Sequence, residues 1–267
     1  MTRAKAPRTE RTRAPSSAGQ EPPAPRVATA SDVSAALALL ANEQRAAVSR
    51  RFFKTGAGQY GEGDAFLGVT VPAQRVVAKQ FSALELPEVR KLLWSRYHEE
   101  RLTALLILVR QFERSRKVPA KQQAIFAFYL ASLTQINNWD LVDSSAPAIV
   151  GGYLFPRERQ LLYELVQREH LWSRRVAILA TQYFIRKGDL ADTLALAEHL
   201  LRDQEDLIHK AVGWMLREVG HKSVPVLKGF LDQHAKTMPR TMLRYALEKL
   251  TPEERSLYML VGRPRRA

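Results

Sequence analysis

The sequence predicts an all-α protein, a curved solenoid of stacked helix pairs with a concave basic face, and three observations carry that expectation. Apolar residues recur at helical spacing from about residue 31 to residue 260, and no convincing strand interrupts them. The connections between these runs are short, as in antiparallel helix pairs. A repeat then separates solenoid from bundle. Arg175-Val176-Ala177-Ile178-Leu179 and Lys210-Ala211-Val212-Gly213-Trp214 match at an offset of 35 residues, and Arg240-Thr241-Met242-Leu243-Arg244 follows after 30 more. That period is the length of a helix pair. Stacking such pairs buries each apolar side against its neighbours and sets Arg175, Lys210 and Arg240 as a basic ladder on or beside the concave face; the alternative for these three is solvated helix charge.

Taken in order, residues 1–30 hold five prolines, seven alanines and scattered Arg. With almost no bulky apolar residue they cannot offset the entropy of ordering, so a disordered basic tail is expected there. The folded domain is expected over 31–262, with a basic end at 263–267. Ser31 is the expected cap of a first helix reaching Asn42, and a second helix is expected over 45–54, ending at Gly56. Glycines 56, 58, 61 and 63 mark the loop 55–64, which lacks the Gly-Lys-Ser/Thr ending of a phosphate-cradling loop and follows no strand. Pro72 and Pro87 suit first helical turns, opening runs at 72–82 and 87–96. Further helices are expected at 99–115, 119–134, 138–154, 156–168, 171–187, 190–201, 205–219, 223–234, 239–249 and 252–260.

A chain of 267 residues with 46% hydrophobic content can bury a substantial core. It has no cysteine, which excludes disulfides and thiolate metal sites and suits a reducing compartment. No stretch approaches the roughly 20 apolar residues of a membrane span, and the N-terminus has no apolar signal core, so no membrane association is expected. Lys and Arg outnumber Asp and Glu by 41 to 27, a formal +14. Residues 1–30 account for +4 of that, leaving +10 on the rest. Such a surface favours polyanions, nucleic acid above all.

The chain is organised around Asn137-Asn138-Trp139-Asp140-Leu141-Val142-Asp143-Ser144-Ser145-Ala146-Pro147. Asn137 or Asn138 can cap a helix, and Asp140 sits against the positive end of its dipole. Pro147 lies four residues after Asp143 and denies that residue's carbonyl its helical N–H partner, so Asp143 is expected at a local distortion. The six histidines show neither HExxH spacing nor a carboxylate-His cluster typical of zinc, and no metal or other cofactor is expected.

This run, together with Phe52-Phe53-Lys54-Thr55-Gly56, Gly58-Gln59-Tyr60-Gly61-Glu62-Gly63-Asp64, Phe66-Leu67-Gly68-Val69 and Lys210-Ala211-Val212-Gly213-Trp214-Met215-Leu216-Arg217-Glu218, resembles the DNA alkylation repair family of HEAT-like-repeat alkylpurine DNA glycosylases. The resemblance covers roughly 35–250. It implies an enzyme that acts on duplex DNA containing alkylated purines, hydrolysing their N-glycosidic bond. A monomer is expected because a capped repeat array has no obligate partner surface. A bacterial cytoplasmic and nucleoid location is the default for a chain without cysteine, and no lyase action is expected because no lysine is marked as a Schiff-base nucleophile. The resemblance further implies Asp143 and Arg175 as catalytic residues and Trp139 and Trp214 as lesion-lining residues; Lys54, Lys210, Arg217 and Arg240 are the expected phosphate contacts, Lys210 and Arg240 from the repeat ladder. Asp140 is left with a capping or supporting role, and Trp94 and Trp172 with a place in the core. The glycine loop, by itself readable as a flexible connector, becomes a lid or a phosphate-contacting edge under the resemblance. Phe52 departs from relatives that carry a Tyr there, which removes a hydroxyl from the lesion site. The competing reading is a non-catalytic HEAT-like scaffold that binds damaged or distorted DNA or an acidic partner; retention of Asp143, Arg175 and Trp214 argues against it.

Overall fold

The computed structural model describes residues 27–261. The expected disordered tail, apart from residues 27–30, and the basic end at 263–267 lie outside the described residues. Among the described residues the fold is all-α and solenoid-like, with α1 (Ala30–Ala38), α2 (Glu43–Phe52), α3 (Val71–Gln80), α4 (Leu86–Leu93), α5 (His98–Arg114), α6 (Pro119–Ala131), α7 (Trp139–Ala146), α8 (Gly152–Leu154), α9 (Gln160–Val166), α10 (Leu171–Arg186), α11 (Ala191–His199), α12 (Asp206–Lys222), α13 (Val224–His234), α14 (Arg240–Ala246) and α15 (Pro252–Leu260).

Local chemistry explains the boundaries. Proline occupies the first turn of α3, α4, α6, α13 and α15, where its missing N–H has no helical partner to lose. Thr29 rather than Ser31 precedes the first helix, with its N–H donating to the Asp32 carboxylate at 2.8 Å. That helix stops at Ala38, short of Asn42, because Asn42 is the cap of α2 and accepts the Arg45 N–H at 2.9 Å. The Phe66-Leu67-Gly68-Val69 segment is fixed by Glu99, whose buried carboxylate accepts the N–H groups of Leu67 and Gly68 at 3.0 and 2.8 Å. Gly68 is required here. Its φ is +76°, and a Cβ would lie 2.1 Å from the Asn42 carbonyl oxygen.

The stacking order follows from the helix contacts. Helices α1, α3 and α4 pack on α5, α5 on α7, α7 on α10, α10 on α12 and α12 on α14, while α9 and α11 pack on α10 and α13 on α12. One continuous core runs through it, from Val33 and Leu37 through Leu105, Leu141, Ile178, Met215 and Leu243. The inner helices approach closely at glycines. A Cβ on Gly151 would lie 2.2 Å from the Ala180 carbonyl oxygen and 2.8 Å from the Tyr183 Cβ; one on Gly213 would lie 2.5 Å from both the Met242 carbonyl oxygen and the Tyr245 Cβ. The contacted residues stand 29 and 32 positions downstream in both cases, so the repeat is written in helix-crossing geometry as well as in sequence.

Replacing Gly151 or Gly213 by Ala should therefore destabilise, because displacing a packed backbone outweighs the ~1 kcal/mol gain in helix propensity. A net loss of about 1–2 kcal/mol, or a fall in Tm of roughly 3–6 °C in a thermal melt, is expected. Gly229→Ala on α13, where a Cβ would meet nothing within 4 Å, should leave Tm unchanged or raise it.

Candidate active site

The catalytic candidate stands on α7. Asn138, fully buried, accepts the Trp139 N–H on its Oδ1 at 2.8 Å and so starts the helix. Pro147 does not end it. The helix widens into a π-helical turn over Pro147–Gly151 and resumes as α8, so the lost hydrogen bond is absorbed by a change of pitch. On the buried side Ser145 hydrogen-bonds the Tyr129 hydroxyl of α6 at 3.0 Å.

Asp143 meets Arg175 of α10 in a forked pair, with Nε donating to Oδ1 and Nη2 to Oδ2, both at 2.8 Å. The third guanidinium nitrogen, Nη1, donates to the Leu207 carbonyl at the start of α12. Arg175 thus ties three consecutive inner helices together. Burial raises the Asp143 carboxyl above its ordinary value, while the hydrogen bonds and charge of Arg175 oppose the rise. The result is a fixed, poorly solvated carboxylate.

That carboxylate lines a cleft of about 920 Å³. Phe52, Lys54, Gly58, Gln59 and Tyr60 form one wall from the end of α2 and the glycine loop; Trp139 and Asp143 come from α7, Leu171 and Arg175 from α10, Lys210, Trp214 and Arg217 from α12, and Tyr245 from α14. Asp143, Arg175, Trp139, Trp214, Lys54, Lys210 and Arg217 are all brought to one place. Arg240 is not. It is exposed at the start of α14, and its guanidinium donates to the carbonyls of Met259 and Val261 beyond the cleft. The expected ladder therefore breaks at its third rung, because the 35-residue spacing continues to Tyr245 rather than to the residue 30 positions on.

The cations differ in availability. Arg175 is 5% exposed and its fork is occupied by Asp143. Arg217 pairs with Glu248 and Glu218, and Glu218 also accepts the Trp214 Nε1–H at 3.1 Å, fixing that indole. Lys210 pairs with Asp206 at 2.7 Å yet stays 40% exposed. Lys54 is exposed, carries no ion pair among the described residues, and occupies the left-handed region at φ 51° directly after α2. Trp172 is core, as expected, whereas Trp94 is 40% exposed with Arg90 stacked on its ring.

Beneath the site lies a charge network that no sequence motif announced. His98, at the start of α5, is buried between two carboxylates, with Nε2 2.7 Å from Asp140 and Nδ1 3.3 Å from Asp64. Arg101 pairs with Asp64 at 2.5 Å and donates to Asn137 at 2.6 Å. Aromatic rings connect this network to the cleft. Phe53 stacks on Trp139 at 5.4 Å and lies 4.6 Å from His98, while Phe66 stacks on Phe53 and His98 at 5.3 and 5.0 Å. Asp140 is thus more than a helix-dipole partner, since it joins α7 to α5. Desolvation alone would lower the imidazolium pKa, but the charge and hydrogen bond of Asp140 and the hydrogen bond of Asp64 outweigh it and push His98 up to about 9.

A raised histidine stabilises the fold fully below the unfolded-state value near 6.5 and loses that contribution as pH climbs through the folded-state value. Stability should decline between pH 6.5 and 9 by an amount on the order of 3 kcal/mol. Urea denaturation across that range should show the decline in the wild type and a flattened profile in His98→Gln, which is less stable at pH 6.5.

A solenoid-like helical scaffold with an acid-bearing, aromatic, partly cationic cleft on its inner row defines the class: an α-repeat protein with an enzyme-like site. The chain belongs to the DNA alkylation repair enzyme family, whose model matches residues 33–250. Among solved structures it is similar to a "Predicted DNA alkylation repair enzyme from Enterococcus faecalis", with a TM-score of 0.62 at 18% identity over 79% of this chain and 97% of that one. At that identity the likeness speaks to the fold. A search of the curated proteins finds no match. The described residues contain no helix long and apolar enough to cross a membrane.

Proposed function

We propose that this DNA repair family member is a monofunctional glycosylase that hydrolyses the N-glycosidic bond of purines alkylated at N3 or N7 in duplex DNA. The observation that carries the reading is the Asp143 carboxylate, clamped by Arg175 inside a cleft that also holds the Trp139 and Trp214 rings. An N3- or N7-alkylated purine is already cationic and leaves as a neutral base, so the reaction needs no strong general acid. It needs a negative charge beside the oxocarbenium-like deoxyribose and a place for water. Asp143 supports both. Each of its oxygens keeps a lone pair beyond the one engaged by Arg175, and burial raises its carboxyl against the opposing hydrogen bonds and charge of Arg175. That is electrostatic preorganisation: the site is organised around the charge that develops in the transition state. The aromatic faces of Trp139 and Trp214 suit a cationic base or sugar. Lys210 and Lys54, the more exposed cations of the cleft, are assigned to backbone phosphates, with Arg217 behind them.

Asp143→Asn should cut single-turnover release of 7-methylguanine by a hundredfold or more, on the order of 3 kcal/mol. The same change weakens the fork on a buried guanidinium, so a stability loss of up to about 3 kcal/mol is expected as well. Rates are therefore compared at a temperature where circular dichroism shows the variant folded. In the wild type, release should fall on the acid side with a midpoint above the 3.8 of an ordinary Asp, because the ionised form is the active one and its folded-state pKa is raised. Full activity of Asp143→Asn on alkylated duplex would refute the assignment.

Salt dependence separates the cations. Lys54→Ala and Lys210→Ala should each reduce the slope of log K against log salt by about 0.9 on duplex DNA, and Arg240→Ala should leave it unchanged.

A further inference from the structure

The end of α4 and the segment after it carry exposed charge that neither the reaction nor the cleft uses. Arg90 and Lys91 stand in the last turn of α4, Trp94 is its C-cap, and Arg96 and Tyr97 lead into α5. None of these five lines the cleft. The Arg90 guanidinium lies over the Trp94 ring at 4.6 Å and that of Arg96 over the Tyr97 ring at 5.3 Å. Arg90, Trp94 and Arg96 are exposed, and neither arginine holds an ion pair among the described residues, whereas Lys91 pairs with Glu88 at 2.5 Å. A guanidinium held face-on by a ring keeps its in-plane N–H donors free, and those donors suit a forked contact with a phosphate.

Two further observations place this surface. The Arg96 carbonyl accepts the Ala65 N–H, and the Ala65 carbonyl accepts the His98 N–H, both at 2.9 Å. The segment is thus laced to the foot of the glycine loop, of which Gly58, Gln59 and Tyr60 line the cleft. The chain also enters the fold here. The Ala30 N–H donates at 2.8 Å to the Glu88 carboxylate that holds Lys91. Residues 1–26, which precede the described residues, hold six Arg or Lys against two Glu, a net +4. The most basic stretch of sequence therefore joins the molecule beside its two ring-stacked arginines.

We propose that Arg90, Trp94, Arg96 and the Arg-rich chain entering beside them form a second contact surface, outside the cleft, for the phosphates of duplex DNA. It goes beyond the glycosylase reading and does not depend on excision. A duplex engaged at the cleft and continuing past the foot of the glycine loop meets Arg96 and then Arg90, and the N-terminal segment adds charge along the same flank. Contacts of this kind carry no sequence information; they add affinity and fix how the duplex lies.

The test measures binding of an unmodified duplex as a function of salt. It compares the full-length wild type, Arg90→Ala/Arg96→Ala, a deletion of residues 1–26, and Arg116→Ala/Lys117→Ala. The last pair is exposed and lies beyond the other end of the 17-residue α5, so it removes the same charge about 25 Å away. Arg90→Ala/Arg96→Ala should reduce the magnitude of the log K against log salt slope by about 1.8, and the deletion by at least about 0.9, while the control pair leaves it unchanged. Duplex should also quench Trp94 emission, read as the difference between wild type and Trp94→Leu. An unchanged slope in the double variant or in the deletion, or a control loss as large as that of the double variant, would overturn the proposal. So would quenching of Trp94 by phosphatidylglycerol vesicles and not by duplex, which would assign the surface to lipid headgroups. If thermal melts show the double alanine variant unfolded, Arg90→Gln/Arg96→Gln is read in its place. A wild type that releases no 7-methylguanine would end the glycosylase reading alone, because these slopes are measured on DNA without a lesion.

Discussion

A buried imidazolium between two carboxylates is the interaction on which the site depends. His98 draws Asp64, at the foot of the glycine loop, and Asp140, in the first turn of α7, onto the N-terminus of α5. Burying charge is costly unless each ion finds a partner with good geometry. His98 meets both carboxylates, and Arg101 adds a second cation on Asp64 and donates to Asn137. Once Asp140 is fixed, the direction of α7 is fixed, and with it the position of Asp143 one turn further along. The rings of Phe53 and Phe66 lie against the imidazolium and carry the same constraint to Trp139.

Arg175 performs the matching task on the other side of the cleft. It joins α7 to α10 through Asp143 and α10 to α12 through the Leu207 carbonyl, so the carboxylate that lines the cleft also closes the stack of inner helices. A guanidinium free to bind phosphate would be a poorer anchor, and an unpaired buried Asp would titrate upward further still. Lys54 and Lys210 are the more exposed cations of the cleft, and the paired Arg217 supports Trp214 through Glu218.

The concave side is built by helix crossings that require glycine. At Gly151 and Gly213 the next inner helix comes so near that even a methyl group would collide with its backbone. Close approach places Trp139, Asp143, Arg175, Lys210, Trp214 and Tyr245 around a single space despite their origin on four helices. The π-helical turn after Pro147 belongs to the same geometry, since Gly151 closes that turn and makes the crossing.

The sequence by itself determined the helical class, the repeat and the motif around Asp143, because apolar periodicity, proline at first turns and a 35-residue recurrence are local or one-dimensional signals. It also placed Trp139, Trp214 and Lys210 together through a family resemblance. Only the tertiary structure decided what each charge does. Arg175, Lys210 and Arg240 look alike along the chain, yet one is buried on Asp143, one lines the cleft, and one tethers the C-terminal carbonyls. Tyr245, 35 residues after Lys210, lines the cleft where Arg240 does not. Tyr60 was hidden in a loop read for its glycines, and His98 was one of six scattered histidines until folding set Asp64 and Asp140 against it. The partner of a charged side chain is chosen by distance in space, over separations of 32 to 42 residues here, and no pattern within a helix encodes that choice.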